Sequence, residues 1–201
     1  MTQPARPADI HPETDCRLPP IRREDLPREA QAVYDQLVDP KGDSLVGLKG
    51  PGGLRLHSPF VAVPTREISR YLRRDDTMTG RVREVAILVA AQACRSEFEW
   101  AAHEKVALKD GVPSAVIEAI RTGAPLDGLP DEDVAIIAFG RELLLDRKVT
   151  SATYARALKR LGQRLLVDVV CLMGQYAATA ALLTAFDMQL PPGQAPRLGG
   201  R

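Results

Sequence analysis

The sequence predicts an all-α protein, a single-domain bundle of seven or eight helices. Along most of the chain, apolar residues recur every three or four positions, which is the period of a helix that buries one face. No stretch shows the sustained alternation of polar and β-branched residues that is typical of strands. Helix boundaries are also visible, because Thr79 is a plausible N-cap and Asp110 with Gly111 a plausible stop.

Three segments are expected. Five prolines among polar residues in 1–23 predict an N-terminal arm, in which His11 and Cys16 are expected to be solvated loop residues. Residues 24–191 form the helical domain and 192–201 a polar tail. Within the domain, the glycine-rich stretch 39–57 is expected to be a mobile connector, and a lid over a pocket is the alternative.

Each predicted helix has its own signal, either an amphipathic face, a capping residue or a terminating glycine. Asp168 and Gln175 interrupt the apolar run of the last helix, so it is expected to be a buried central helix rather than a membrane span. Its alanines between 177 and 181 favour contact with a partner subunit. The helices are expected near 24–38, 58–74, 79–93, 96–109, 113–122, 131–147, 150–161 and 163–186.

Composition excludes several classes of function. The 27 basic and 26 acidic residues are spread along the chain and give a net charge of +1, so we expect no nucleic-acid partner. Three cysteines without C-x-x-C spacing indicate a reducing compartment, and the N-terminus lacks the apolar run of a signal peptide. The protein is therefore expected to be cytoplasmic, without a membrane and with a small molecule as its substrate.

Two carboxylates and a histidine are the candidate catalytic residues. Glu84 begins an apolar helix and, if buried, could carry a proton, although an ion pair with Arg81 is the alternative. Glu99 and His103 are four residues apart on the next helix and share a face. Glu99 is expected to be ionised, and it could instead close a capping box with Ser96. Its charge would favour a protonated His103 as proton donor, with a surface histidine as the alternative.

Other chemistries have weaker support. Glu99 and His103 could supply two metal ligands, but no H-E-x-x-H pattern or second nearby histidine accompanies them, so no metal is expected. Cys94 falls at the end of an apolar helix, where thiols are usually inert.

Three stretches, at 83–88, 98–103 and 111–120, give the chain a resemblance to a known family. They read Arg-Glu-Val-Ala-Ile-Leu, Phe-Glu-Trp-Ala-Ala-His and Gly-Val-Pro-Ser-Ala-Val-Ile-Glu-Ala-Ile. In order and spacing they resemble the carboxymuconolactone decarboxylase family, which shares its fold with the alkyl hydroperoxidase D-like proteins. The similarity extends over about 17–191, and it implies a helical fold and a homo-oligomer: a dimer, trimer or hexamer.

The resemblance also implies a chemistry and a site. It implies decarboxylation or proton transfer on a small carboxylated or lactone-type substrate, without a cofactor. Glu84, Glu99 and His103 are the catalytic residues under this reading. Trp100, which by residue type alone reads as a core anchor, joins His57 and Arg83 as expected substrate contacts.

Two alternatives stay open under the same resemblance. Peroxidase members carry a C-x-x-C motif, and its two positions fall on Ser96 and Glu99 in this chain, so no dithiol is present there to reduce a peroxide. A peroxidase-type oxidoreductase is therefore disfavoured. The other alternative is a non-catalytic binding protein that keeps the fold.

Overall fold

All regular elements of the computed structural model are helices in the residues it describes, 7–42, 44–74 and 76–199, so the all-α prediction is confirmed. Short 3₁₀ and π-helical turns occur at Arg23–Asp25 and Glu142–Asp146. The α-helices are α1 (Arg28–Val38), α2 (Pro51–Leu56), α3 (Pro59–Leu72), α4 (Gly80–Ala93), α5 (Glu97–Lys109), α6 (Ser114–Thr122), α7 (Asp131–Arg141) and α8 (Ser151–Ala185).

Helix α4 is the centre of the bundle because it is apolar on every face. Its residues from Val85 to Ala91 are almost completely buried, and α5, α6, α7 and α8 all pack around it. The hydroxyl of Thr79 accepts a hydrogen bond from the amide of Val82 at 3.3 Å, so the predicted N-cap is confirmed. A helix surrounded in this way can carry a polar side chain only where a neighbouring helix supplies a partner.

A tight turn joins α4 to α5 and determines what the two helices bring together. Arg95 adopts a left-handed backbone conformation with φ of 55°, and the amide of Ser96 donates to the carbonyl of Ala91 at 2.8 Å. The chain therefore folds back at once, and α5 packs along α4. This return places the middle of α5 beside the first turns of α4.

Helix α8 consists of two helical segments. Gly162 interrupts it with φ of 74° and ψ of 168°, a conformation that only glycine adopts readily, so the two helices predicted from the sequence meet there. By length and composition α8 could cross a membrane, with a mean hydropathy of 1.7 over its most apolar window. It nevertheless packs against α4 and α7 and contributes buried side chains to the core.

Three expectations about the termini and loops need correction. Cys16 is buried rather than solvated, since the amide of Arg17 donates to the carbonyl of Phe186 at 2.9 Å and ties this segment to the end of α8. The polar tail also packs, because the amide of Leu198 donates to Glu97 at 2.9 Å. The connector 39–57 contains a helix, α2, with Pro51 at its first position.

Candidate active site

A cavity of about 110 Å³ lies between α2, α3, α5 and α8. For scale, an engineered apolar cavity of about 150 Å³ in another protein accepts benzene. Residues 44–47, from the connector, form part of its wall, which favours the lid interpretation of that stretch. Polar residues make up half of its lining: Ser44, Arg55, Thr65, Arg66, Ser69, Arg73, Glu99, His103, Gln175, Tyr176 and Thr179.

Glu84 and His103 form a buried hydrogen bond behind the cavity wall. Nδ1 of His103 lies 2.7 Å from Oε2 of Glu84, and their side chains are 4% and 3% exposed. Neither expected alternative is found: Arg81 pairs with Asp133 instead, and His103 is not on the surface. The cation nearest to Glu84 is Arg83, 3.6 Å away. Glu84 therefore holds the ring of His103 in one orientation.

The other ring nitrogen of His103 points to the hydroxyl of Tyr176, at 3.1 Å. An Nη2 of Arg73 donates to the same hydroxyl oxygen at 2.6 Å. Because arginine can only donate, the phenol oxygen accepts a hydrogen bond from Arg73. Its own O–H is then able to donate a hydrogen bond to Nε2 of His103. Nδ1 of His103 then donates to Glu84, so one continuous chain of hydrogen bonds runs from Arg73 to Glu84.

Burial favours the neutral form of Tyr176. The pKa of its hydroxyl is raised, mainly because burial disfavours the phenolate, while the guanidinium of Arg73 opposes that shift. Tyr176 therefore stays a neutral donor at the cavity wall. Its ring also meets the imidazole of His103 edge to face, with centroids 5.2 Å apart, which fixes the position of both rings.

Glu99 corrects two expectations. It does not close a capping box, since no side-chain hydrogen bond caps α5 at Ser96. Its surroundings also work against the expected anion, because burial raises the pKa of its carboxyl; His103, Arg73 and Arg55 oppose that rise without cancelling it. Its Oε2 lies 3.7 Å from Nε2 of His103, too far for a direct hydrogen bond. Glu99 thus presents to the cavity a carboxyl group whose protonated form is favoured by burial.

The expected substrate contacts lie elsewhere. Trp100 is completely buried in the core, and its indole nitrogen has no hydrogen-bond partner among the described residues. Arg83 lies behind the cavity, 3.6 Å from both Glu84 and Asp110. His57 ends α2 and lines a separate hollow beside Cys16. The structure therefore brings together Glu84, Glu99 and His103, whereas Trp100, Arg83 and His57 lie outside the cavity.

Sequence reasoning missed several side chains that line the cavity, among them Arg55, Arg73, Tyr176 and Thr179. Arg73 begins a polar turn and Arg55 belongs to the glycine-rich connector, and arginine in such segments is ordinarily solvated. Tyr176 and Thr179 did carry a signal, since they are polar residues three positions apart in an otherwise apolar helix. Their spacing puts them on one face of α8, the face that meets the cavity.

Comparisons with known proteins bear on the fold and the family. Residues 65–140 match the model of the carboxymuconolactone decarboxylase family, a span that contains Glu84, Glu99 and His103. None of the curated proteins matched the chain significantly. Among solved structures, the chain resembles a cysteine-to-alanine variant of the debrominase Bmp8 in complex with 2,3,4-tribromopyrrole. The TM-score is 0.65 at 12% identity, over 86% of this chain and 90% of that one.

Proposed function

We propose, from the match of residues 65–140 to the carboxymuconolactone decarboxylase family model, that this chain is a cofactor-independent lyase or isomerase. Its substrate is a small carboxylated or lactone-type molecule, from which it removes carbon dioxide or on which it moves a proton. The observation that carries this proposal is the buried chain from Glu84 through His103 to Tyr176, which ends at the wall of the cavity.

Decarboxylation next to a conjugated carbonyl needs a site for the charge that develops. As the bond to the carboxylate breaks, carbon dioxide leaves and its electron pair moves into the carbonyl system, which gives an enolate. Arg73 lines the cavity and supplies N–H donors for the enolate oxygen, and the O–H of Tyr176, which donates to His103 in the structure, can turn to the same oxygen when substrate is bound. Donors fixed in a buried site need little reorganisation when that charge appears.

The enolate carbon must then receive a proton. Glu99 is the proposed donor, because burial raises the pKa of its carboxyl and so favours the protonated form that can give a proton to carbon. The proton that replaces it comes from solvent: Nε2 of His103, an acceptor in this arrangement and 3.7 Å from Glu99, can take up that proton and pass it to the carboxylate through a shift of the ring or one water molecule. Each turnover of decarboxylation takes up one proton from solvent, whereas isomerisation moves a proton between two carbons with no net uptake.

Glu84 acts as a positioning residue for His103. It does not line the cavity, but its hydrogen bond fixes the tautomer and the orientation of the imidazole. This arrangement puts Nε2, rather than Nδ1, on the cavity side.

Thiol chemistry has little support from the geometry. Cys94 is half-buried at the end of α4, and burial raises the pKa of its thiol, which lowers the thiolate fraction that would attack a peroxide. The side chains that face the cavity are suited to acid–base chemistry instead.

The test is a turnover panel with matched histidine variants. Carbon dioxide release and solvent deuterium incorporation are measured on a series of carboxylated five-membered lactones and unsaturated acids. On a substrate that the wild type converts, His103→Gln should lower turnover by roughly 10²–10⁴-fold. The same change at His57, outside the cavity, should leave turnover unchanged. Normal turnover in a folded His103→Gln protein would refute the assignment, and a panel without any reaction would favour a binding protein.

A further inference from the structure

Arg55 reaches the cavity from α2 and is under-neutralised there. Its Nη2 donates to the hydroxyl of Thr179, which in turn donates to the carbonyl of Gln175 at 2.8 Å. Within residues 7–42, 44–74 and 76–199, no carboxylate lies within ion-pair distance of Arg55. Burial lowers the pKa of its guanidinium, which is the response of a cation that lacks a close counter-ion.

The other charged groups around Arg55 do not neutralise it. Of the described residues that line the cavity, three are arginines, Arg55, Arg66 and Arg73, and one carries a carboxyl group, Glu99, whose pKa is raised by burial. Glu84 lies behind the wall and is hydrogen-bonded to His103. The cavity therefore has a net positive potential, and a small anion is the ligand that such a site favours.

We propose that Arg55 and Thr179 form a seat for a carboxylate group of the substrate. The guanidinium has five N–H donors in a planar fork, and the one bond to Thr179 leaves others able to bind a carboxylate through two parallel hydrogen bonds. Thr179 holds the fork in place from α8. This inference rests on the proposed function, in which Glu99 and His103 act on the reacting group of the substrate. It adds that Arg55 and Thr179 bind a second group of the same substrate.

The seated carboxylate is one that the reaction retains. A strong ion pair to the carboxylate that leaves would stabilise the ground state more than the transition state, because the leaving group becomes neutral carbon dioxide. Binding that is equal in both states lowers KM and leaves kcat unchanged. The favoured substrate therefore carries an anchoring carboxylate in addition to the group on which Glu99 and His103 act.

The test measures binding and does not depend on turnover. Titration calorimetry follows 2-furoate, a five-membered ring with one carboxylate, and its neutral amide. Wild-type protein should bind 2-furoate, and Arg55→Met should weaken that binding by roughly 10- to 100-fold, which is the range for a lost charge-assisted hydrogen bond. Binding of the amide should be unaffected. Arg70→Met, which removes a positive charge from the exposed side of α3, is the matched control and should bind 2-furoate normally.

Further variants separate this inference from the proposed function. Arg55→Lys keeps the charge and should recover part of the affinity, which excludes misfolding as the cause of a loss in Arg55→Met. Because the affinity for 2-furoate is measured without turnover, it tests Arg55 independently of the role proposed for His103. Equal 2-furoate affinity in wild type and Arg55→Met, or failure of the wild type to bind 2-furoate at millimolar concentration, would overturn the carboxylate seat while leaving the acid–base site untouched.

Discussion

The hydrogen bond between Glu84 and His103 should be visible as coupling in the free energy of unfolding. Both side chains are at least 96% buried and meet at 2.7 Å, so each single change to glutamine leaves a buried polar partner with a poorer bond. Removing one member of a buried pair costs about 3–5 kcal/mol. For a chain of this size, each kcal/mol lowers Tm by about 2–4 °C, so each single variant should melt roughly 6–20 °C lower.

A double-mutant cycle in denaturant measures the coupling directly. In the variant that carries both glutamines, the two amides can bond to each other, so its loss should be smaller than the sum of the singles by about 0.5–3 kcal/mol. Glu118→Gln, at an exposed carboxylate on α6, combined with His103→Gln provides the control and should be additive. Additive losses for Glu84 and His103 as well would refute the claim that the two act as one buried unit.

Three further predictions concern protonation, redox chemistry and assembly. Because the pKa of Glu99 is raised in the folded protein, the unfolded chain releases this proton first, so its contribution to stability is full at low pH and is lost as pH rises through the folded value. The Tm of Glu99→Gln should therefore rise relative to the Tm of the wild type between pH 4 and pH 8. A difference in Tm that stays constant over this range would contradict the raised pKa of Glu99. Cys94→Ser should leave turnover intact, whereas dithiol-dependent peroxide consumption that disappears with this cysteine would revive the peroxidase alternative. We also expect a homo-oligomer in solution. Ala178→Trp, on the exposed face of α8, should disrupt this oligomer, whereas the control Ala155→Trp should not. Light scattering that gives a monomer mass for the wild type would count against the expectation.

Local patterns predicted the helices because helix formation here depends on signals that lie close together in sequence. Thr79 caps α4, and Gly162 ends one helical segment just before the next, as their residue types indicate. Glu99 shows where such reasoning fails. Its position four residues before His103 was readable, but its protonation depends on burial by α2, α3 and α8, which are distant in sequence.

The same limit explains why two arginines of the cavity wall were not predicted. Arg55 and Arg73 lie outside the apolar stretches, and nothing in their neighbours indicates that α2 and α3 turn them toward one cavity. The prediction for Trp100 was wrong for the opposite reason: a residue expected in the cavity lies in the core. On a helix, a residue next to Glu99 in sequence points about 100° away from it. Adjacency along a helix is a poor guide to a shared site, and a spacing of three or four is a better one.

Position 99 is where this chain departs most from thiol chemistry. The family resemblance places Glu99 where peroxidase members have the second cysteine of C-x-x-C, and the buried partner pair Glu84–His103 is retained behind it. A cysteine there is activated by a base that removes its proton. A buried carboxyl with a raised pKa instead favours its protonated form, which under the proposed function gives its proton to carbon. Under that proposal, the same histidine and glutamate support proton delivery when the residue in front of them changes from a thiol to an acid.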